Sequence, residues 1–521
     1  MKKPETIPVV DIFAGPGGLS EGFSEFNRNG RNPFHAVLSI EKDPVASQTL
    51  QLRKFVRLFS KPPDEYLGFV RGEISAARLY AAYPREATMA ATRTWHAELG
   101  VENEALVSRR VRQALGDASA PWILVGGPPC QAFSIAGRSR MRSTRPDFEA
   151  DERHLLYREY LQIVARHRPA VFVMENVRGI LTSTLDGSEI FGRIIRDLRR
   201  PALALDQAIH RRLTYRLYGL APGATTEFID GADPTDHFLV RAENHGIPQA
   251  RHRIFIVGVR ADLSGAPTPL EVAATRICVA DVLADLPPLR SRLSRRMDTW
   301  AEWVDAVREA HEQHWMLGGR ASQFAAVAIE ARRAMRLMSL ELPTGAPYIG
   351  HRRTTVAHRA LSEWFRHNAE GLTLHESRSH MQSDLHRYLF AACYARVTGH
   401  SPRLKDFPAE LRPKHENVSR ALGSELFSDR FHVQSEQRPS TTVTSHICKD
   451  GHYFIHYAPE QCRSLTVREA ARLQTFPDSY FFCGNRTQQY HQVGNAVPPL
   501  LARKVAESVY GILRSSVEQR S

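Results

Sequence analysis

Short apolar runs, separated by stretches that read as helices, constrain this chain more than any other feature. They cover residues 7–14, 34–40, 122–125, 169–174 and 254–259. Runs of four to eight residues with little polar alternation read as strands buried on both faces, and their alternation with helices calls for an α/β fold built on a doubly wound, mostly parallel sheet. In an open sheet of that kind ligands bind outside the carboxyl ends of the strands. The residues just after each run therefore matter more than the run itself.

The first run ends in Gly15-Pro16-Gly17-Gly18 and passes into the helix-like Leu19-Ser20-Glu21-Gly22-Phe23. A strand, a glycine turn and a helix make a nucleotide-type cradle. The second run ends at Glu41, where a ribose hydroxyl pair is usually held, and Asp43-Pro44 supply an N-cap and first-turn proline for a helix to residue 58. Glycine turns occur for structural reasons alone, but the turn and Glu41 together point to an adenosine-containing cofactor. The missing Gly-Lys-Ser/Thr ending argues against a P-loop.

The run 122–125 opens into Gly126-Gly127-Pro128-Pro129-Cys130-Gln131-Ala132-Phe133-Ser134. Two prolines fix φ and hold the preceding residues extended, so the Cys130 thiol is placed by a stiff approach. A lone cysteine after a strand is ordinarily an inert core thiol. This approach suits a nucleophile better. The loop 137–151 that comes next carries Arg138, Arg140, Arg142 and Arg145, which read either as solvated surface or as a basic lid closing on a phosphate backbone. After a helix over 152–167, the run 169–174 ends in Glu175-Asn176 and delivers a carboxyl group to the same sheet edge. Finally Gln249-Ala250-Arg251-His252-Arg253 leads into 254–259, and alternation places Arg251 and Arg253 on one face.

A formal net charge of +13 over 521 residues makes a polyanion the expected large partner. The cysteines at 130, 278, 393, 448, 462 and 483 form no C-x-x-C pair and no histidine set at ligand spacing, so no metal site is expected. No signal peptide and no membrane span is legible, which suggests a reducing, cytoplasmic setting. Past residue 275 the texture becomes irregular and basic with interleaved aromatics, as at Arg290–Arg296 and His351-Arg352-Arg353-Thr354-Thr355. That pattern fits a nucleic-acid groove, although solvated helices look similar. Order returns at 463–474, where Thr466 and Glu469 read as a capping box, and the stretch 492–499 reads as the start of a final helix with Asn495 as its cap.

A thiol, a carboxyl group, two arginines and an adenosine-type pocket on one sheet edge fit methyl transfer to a pyrimidine. Cytosine carbon 5 is a poor nucleophile until a thiolate adds to carbon 6. Cys130 fits that role, Glu175 the interaction with ring nitrogen 3, and Arg253 the hold on the carbonyl at carbon 2. A base stacked in a duplex cannot be reached and must be flipped out.

Asp11-Ile12-Phe13-Ala14-Gly15-Pro16-Gly17-Gly18, Gly127-Pro128-Pro129-Cys130-Gln131, Glu175-Asn176-Val177, Gln249-Ala250-Arg251-His252-Arg253, Arg463-Ser464-Leu465-Thr466-Val467-Arg468-Glu469 and Gly494-Asn495-Ala496-Val497 stand in the order seen in the cytosine-5 DNA methyltransferases. The chain resembles that family, of the bacterial restriction-modification type, from one end to the other. The resemblance implies a Rossmann-like methyltransferase fold, S-adenosyl-L-methionine as cofactor, Cys130 as nucleophile, Glu175 on ring nitrogen 3, and Arg251 and Arg253 lining the flipped-base pocket. It implies cofactor contacts from Phe13, Gly15, Gly17, Gly18, Leu19, Glu41, Pro129, Asn495 and Val497. Glu73 and Ile74 join them, where Gly72-Glu73-Ile74, inside a stretch that reads as helical, stands for the family's Gly-Asp-Ile.

The resemblance also divides the chain into a catalytic domain (1–275), a smaller target-recognition domain (276–479) and a C-terminal segment (480–521) that returns to the first. It implies double-stranded DNA as substrate, a monomer on DNA, a nucleoid-associated place in the cytoplasm and a cognate restriction endonuclease as companion. A transfer RNA cytosine-5 methyltransferase and a catalytically silent DNA-binding module are the alternatives. A dehydrogenase is disfavoured because Gly15–Gly18 departs from G-x-G-x-x-G.

Overall fold

The computed structural model describes residues 6–100, 103–116, 120–129, 156–185, 188–205, 210–319, 322–338, 340–350, 358–366, 370–413 and 429–518. The chain forms two compact units. The first comprises residues 1–60, 80–275 and 496–521; the second comprises 61–79 and 276–495. The return to the first unit thus begins at Ala496, later than the boundary at 480 drawn from the sequence, and the excursion at 61–79 left no mark in composition.

An eight-stranded sheet organises the first unit. Its strands are β1 (Ile7–Ile12), β2 (Phe34–Glu41), β3 (Thr94–His96), β4 (Ile123–Gly126), β5 (Val171–Val177), β6 (Tyr215–Tyr218), β7 (Leu239–Arg241) and β8 (His252–Arg260). The order is β3-β2-β1-β4-β5-β8-β6, with β7 also paired to β8. All pairings from β3 through to β5 are parallel, whereas β8 runs antiparallel to β5, β6 and β7. One face carries Val10, Ile12, Leu38, Ile40, Leu124, Phe172, Met174 and Ile256 into a core with Tyr160 and Leu161 of the helix Leu156–His167. Residues pointing the other way, among them Val9, Val125, Val173 and Val257, are equally buried. Burial on both faces is why these strands read as continuous apolar runs.

Glycines set how closely the helix Gly18–Glu25 meets the C-terminal helix Pro499–Glu518. A Cβ at Gly18 would stand 2.1 Å from the Val497 carbonyl oxygen, and one at Gly22 would stand 2.4 Å from that of Pro499. Only the absence of a side chain allows this approach. The same helix presents Glu21 to Arg53 at 2.6 Å and to Arg57 at 3.0 Å. Burial alone would raise the Glu21 carboxyl, but the two guanidinium groups bring it down to about 2. This contribution to stability is therefore complete above the ordinary 4.5 and lost as pH falls towards 2.

Two local readings are corrected. Residues 492–495 do not open the final helix; they close the helix Arg486–Asn495, and the last helix begins at Pro499. Proline explains the break, since it lacks the N–H that a continuing helix needs and starts a new one readily. Likewise Gly72-Glu73-Ile74 lies outside any helix, between Asp64–Val70 and Ala76–Ala82, where Gly72 turns the chain at φ +78°.

In the second unit Trp303, Trp315, Tyr388, Leu389 and Phe390 form a core from the helices Trp300–Arg308, His314–Leu317 and Gln382–Thr398. Ala328, Ala331 and Ala334 recur on one face of Ala325–Leu337 and are fully buried against that core. The helix Val467–Leu473 carries the expected capping box, with Thr466 N–H donating to Glu469 Oε2 at 2.7 Å and Glu469 N–H to Thr466 Oγ1 at 3.2 Å. Around it lies a buried polar network absent from the sequence reading. Arg463 holds Glu469 through two 2.6 Å hydrogen bonds; Arg468 donates to the carbonyls of Thr373, Pro477 and Tyr480; Arg472 pairs with Asp285 and Asp478.

Candidate active site

Register fixes which residues share the carboxyl edge of the sheet. Ile12 stands opposite both Ile40 and Gly126, and Gly126 stands opposite Met174. The Gly15 turn, Glu41, the Gly127-Pro128-Pro129 segment and Glu175 consequently leave the sheet together. Because β8 runs against its neighbours, its entrance rather than its exit lies at this edge, with Arg253 opposite Val177. A parallel β8 would have put both arginines at the far end.

The turn after β1 is conformationally demanding. Phe13 takes φ +53°, Gly15 +55° and Gly17 +97°, and Gly17 is the N-cap of Gly18–Glu25. A non-glycine residue in the left-handed region costs on the order of 1–3 kcal/mol, and such positions gather at functional sites. Glu41 locks the turn to β2: its Oε2 accepts the Gly15 N–H at 2.7 Å and its Oε1 the Asp43 N–H at 2.8 Å. Each carboxylate oxygen keeps a further lone pair for a hydroxyl donor. A Cβ built at Gly15 meets nothing within 4 Å, so open space lies beside the turn. Leu19 is buried in the first turn of the helix and Val497 packs on Gly18. A strand-end carboxylate, a left-handed glycine turn and free space beside it fit an adenosyl group.

At the other half of the edge, Glu175 Oε1 is 2.9 Å from Arg253 Nε, both side chains being largely but not wholly buried. A Cβ at Gly127 would stand 2.7 Å from Glu175 Oε2, so glycine is what lets the loop pass over this carboxylate. Asn176, buried beside it, donates to the Pro128 carbonyl at 3.4 Å and accepts the Val177 N–H at 2.9 Å, tying the Pro-Pro segment to β5. Arg251 precedes β8 and is fully buried; burial pulls its guanidinium well below the usual arginine range, neighbouring Arg253 adds to that, and Glu175 opposes it. His252, between the two arginines, reaches Glu243 at 2.8 Å.

Pro129 is the last described residue of its segment, so Cys130 and the arginines of the 137–151 loop lie outside the described residues, as does the patch 351–355. Glu73, Ile74 and Asn495 belong to the second unit. Glu73 is exposed there and pairs with Arg71 at 2.7 Å, and Asn495 is exposed with its amide beside His491.

One buried pair near the turn escaped the sequence reading. Asp11, in β1, is fully buried; burial pushes its carboxyl up to about 7, against the polar Ser20 and the charge of Lys54. Burial conversely brings Lys54 down to about 7, although Asp11 favours its charge. An aspartate inside Ile7-Pro8-Val9-Val10-Asp11-Ile12 was the available signal, since a charge in a strand buried on both faces needs a partner.

Residues 106–201 and 235–511 match the model of the C-5 cytosine-specific DNA methylases. The chain belongs to that family, and its catalytic class is DNA (cytosine-5-)-methyltransferase. It is similar to type II methyltransferase M.Bpa9945I of Bacillus paralicheniformis, at 29% identity over 97% of this chain and 99% of that protein. Type II methyltransferase M.AgeI of Thalassovita gelatinovora is 26% identical over 78% of this chain and 87% of its own. DNA (cytosine-5-)-methyltransferase M.ApeKI of Aeropyrum pernix is 25% identical over 75% and 81%. S-adenosyl-L-methionine is the methyl donor this family implies. Among the described residues no helix is long and apolar enough to cross a membrane.

Proposed function

We propose that this chain methylates carbon 5 of a cytosine flipped out of a specific double-stranded DNA sequence, through a covalent adduct with Cys130. The observation that carries this reading is the Glu175–Arg253 pair under the Gly127-Pro128-Pro129 segment, one residue before the thiol. The Cys130 thiolate adds to carbon 6, while Glu175 gives a proton or hydrogen bond to ring nitrogen 3 and Arg253 holds the carbonyl at carbon 2. The positive charge of Arg251 and Arg253 favours the thiolate over the thiol. Electron density then reaches carbon 5, which takes the methyl group; loss of the carbon 5 proton and expulsion of the thiolate restore the ring. The bound cofactor would supply that methyl group as an electrophile from its sulfonium, whose sulfur would keep the electron pair of the broken S–CH3 bond as a neutral thioether.

Phe13, Gly15, Gly17, Gly18, Leu19, Glu41, Pro129 and Val497 would hold the cofactor, with Glu41 on the ribose hydroxyls. The second unit would recognise the target sequence and offset the few kcal/mol that base flipping costs. Type II methyltransferase relatives support a modification role. We further propose a cognate endonuclease as companion and action as a monomer on nucleoid DNA in the cytoplasm.

Trapping tests the covalent step. A duplex with 5-fluorocytosine at the target, incubated with protein and cofactor, is expected to yield a denaturant-stable protein–DNA complex, because fluorine at carbon 5 cannot leave as a proton does. Cys130→Ala should give none. A stable complex in that variant, or none in the wild type under conditions where it methylates normal DNA, would remove Cys130 from the nucleophile's role.

A further inference from the structure

The second unit contains a cavity of about 380 Å³, away from the sheet edge in sequence and lined by Arg403, Arg438, His400, His432 and Asp429 among others. Its frame is fixed before any ligand arrives. Gln434, fully buried in its wall, donates to the Tyr453 carbonyl at 3.0 Å and accepts from the Thr441 N–H at 2.9 Å and the Thr441 hydroxyl at 3.2 Å. Val433 N–H donates to Ser401 Oγ at 2.9 Å, and the His432 ring stacks on Tyr453 at 5.1 Å with 19° between the planes.

The charge balance of this cavity is one-sided. The single acid among its described lining residues, Asp429, already accepts the Tyr453 hydroxyl at 2.7 Å. Arg403 and Arg438 are exposed at its lining, and neither guanidinium forms an ion pair with a described residue. Several other arginines of this unit are engaged: Arg463, Arg468 and Arg472 are buried among hydrogen-bond partners, and Arg290, Arg296, Arg387 and Arg396 each have a carboxylate. Two guanidinium forks with no carboxylate among the described residues, over a rigid polar floor, form a donor-rich recess. A phosphate group, all acceptor and anionic, matches both the donors and the charge of this recess; a guanine edge offers two acceptors but no charge, and comparing two duplex sequences separates it from a phosphate.

We infer that the cavity around Arg403 and Arg438 is a phosphate-binding site that takes a backbone phosphodiester of the DNA substrate. This rests on the reading of the chain as a DNA methyltransferase. It names where the second unit grips the duplex without reading sequence: phosphate contacts set register and orientation and carry no sequence information themselves. The cofactor contains no phosphate, so it does not compete for this site.

The test uses the full chain with Arg403→Ala and Arg438→Ala combined, and measures duplex affinity by anisotropy from low to moderate salt, on the methylated sequence and on a scrambled one. Each neutralised phosphate contributes about 0.9 to the slope of log affinity against log salt, so the double variant, which releases the one phosphodiester, should lose about 1 and weaken on both duplexes by the same factor. The paired lysine variant, Arg403→Lys with Arg438→Lys, should retain most of the slope, which an unfolded recess would not allow. Two results would overturn the inference: an unchanged slope, which together with inorganic phosphate shifting the His432 ring resonance in wild type alone would make the site one for free anions; or a loss confined to the methylated sequence, which would make these base-reading residues. If the broader reading is at fault, the wild-type chain itself will fail to methylate the duplex, and that failure is visible without any variant.

Discussion

Replacing Glu175 by glutamine is expected to lower the rate of methyl transfer by about 10³-fold, within the range a positioned acid supplies. Glutamine is nearly isosteric but has no proton to give ring nitrogen 3 and no charge to hold Arg253 Nε, now 2.9 Å away. One change therefore removes the acid and loosens the cation that holds the carbonyl at carbon 2. Glu175 lies at the end of β5, whereas the Gly15–Glu41 cradle belongs to β1 and β2. Cofactor affinity should therefore stay within about threefold, as should duplex affinity, which backbone contacts dominate. Single-turnover transfer of a labelled methyl group, with equilibrium binding of both ligands, separates these effects. A rate within tenfold of wild type would show that Glu175 is there to orient Arg253 and the Pro-Pro segment.

Replacing Glu469 by alanine is expected to cost about 3–5 kcal/mol, because breaking a buried pair from one side leaves an uncompensated charge. Arg463 and Glu469 are both about 1% exposed and joined by two short hydrogen bonds, and the same carboxylate caps its helix through the Thr466 N–H. Burial opposes the charge of Glu469, yet Arg463 and the neighbouring histidines hold its carboxyl far below the usual range. Calorimetry of the full chain should show the second unit melting earlier while the cofactor still binds; a loss under about 1 kcal/mol would mean the network relaxes around the gap.

Acid should find the same place. His375 and His456, also in contact with this network, are fully buried, and burial lowers them from 6.5 to about 4 and about 3. A histidine held neutral in the fold stabilises fully above 6.5, and that stability is lost as pH falls from there towards its folded value.

Much of the site was legible because its signals are local. Asp43-Pro44, the Gly15 turn, Glu41, the Pro-Pro segment and Glu175 each sit directly after an apolar run, and a parallel sheet brings such positions together without further instruction. Arg253 is different. Its motif was visible, but its place at the rim depends on β8 running backwards, which pairing with β5 decides and no local residue announces. The arginines of 463–472 looked like the polar face of a capped helix. Their burial comes from partners as distant as Thr373 and Asp285, some 95 and 187 residues away along the chain. Asn495 was misplaced for a smaller reason: an Asn three residues ahead of a Pro-Pro pair fits a helix cap and a helix end equally well.

The central claim is that this chain methylates cytosine in DNA through Cys130. Bisulfite sequencing of plasmid DNA from a methylation-free host expressing the full chain, beside a host expressing Cys130→Ala, tests it most directly. The expected result is 5-methylcytosine at one recurring sequence with wild type and none with the variant. Methylation that persists in the variant, or its absence from DNA in both while transfer RNA becomes methylated, would contradict it.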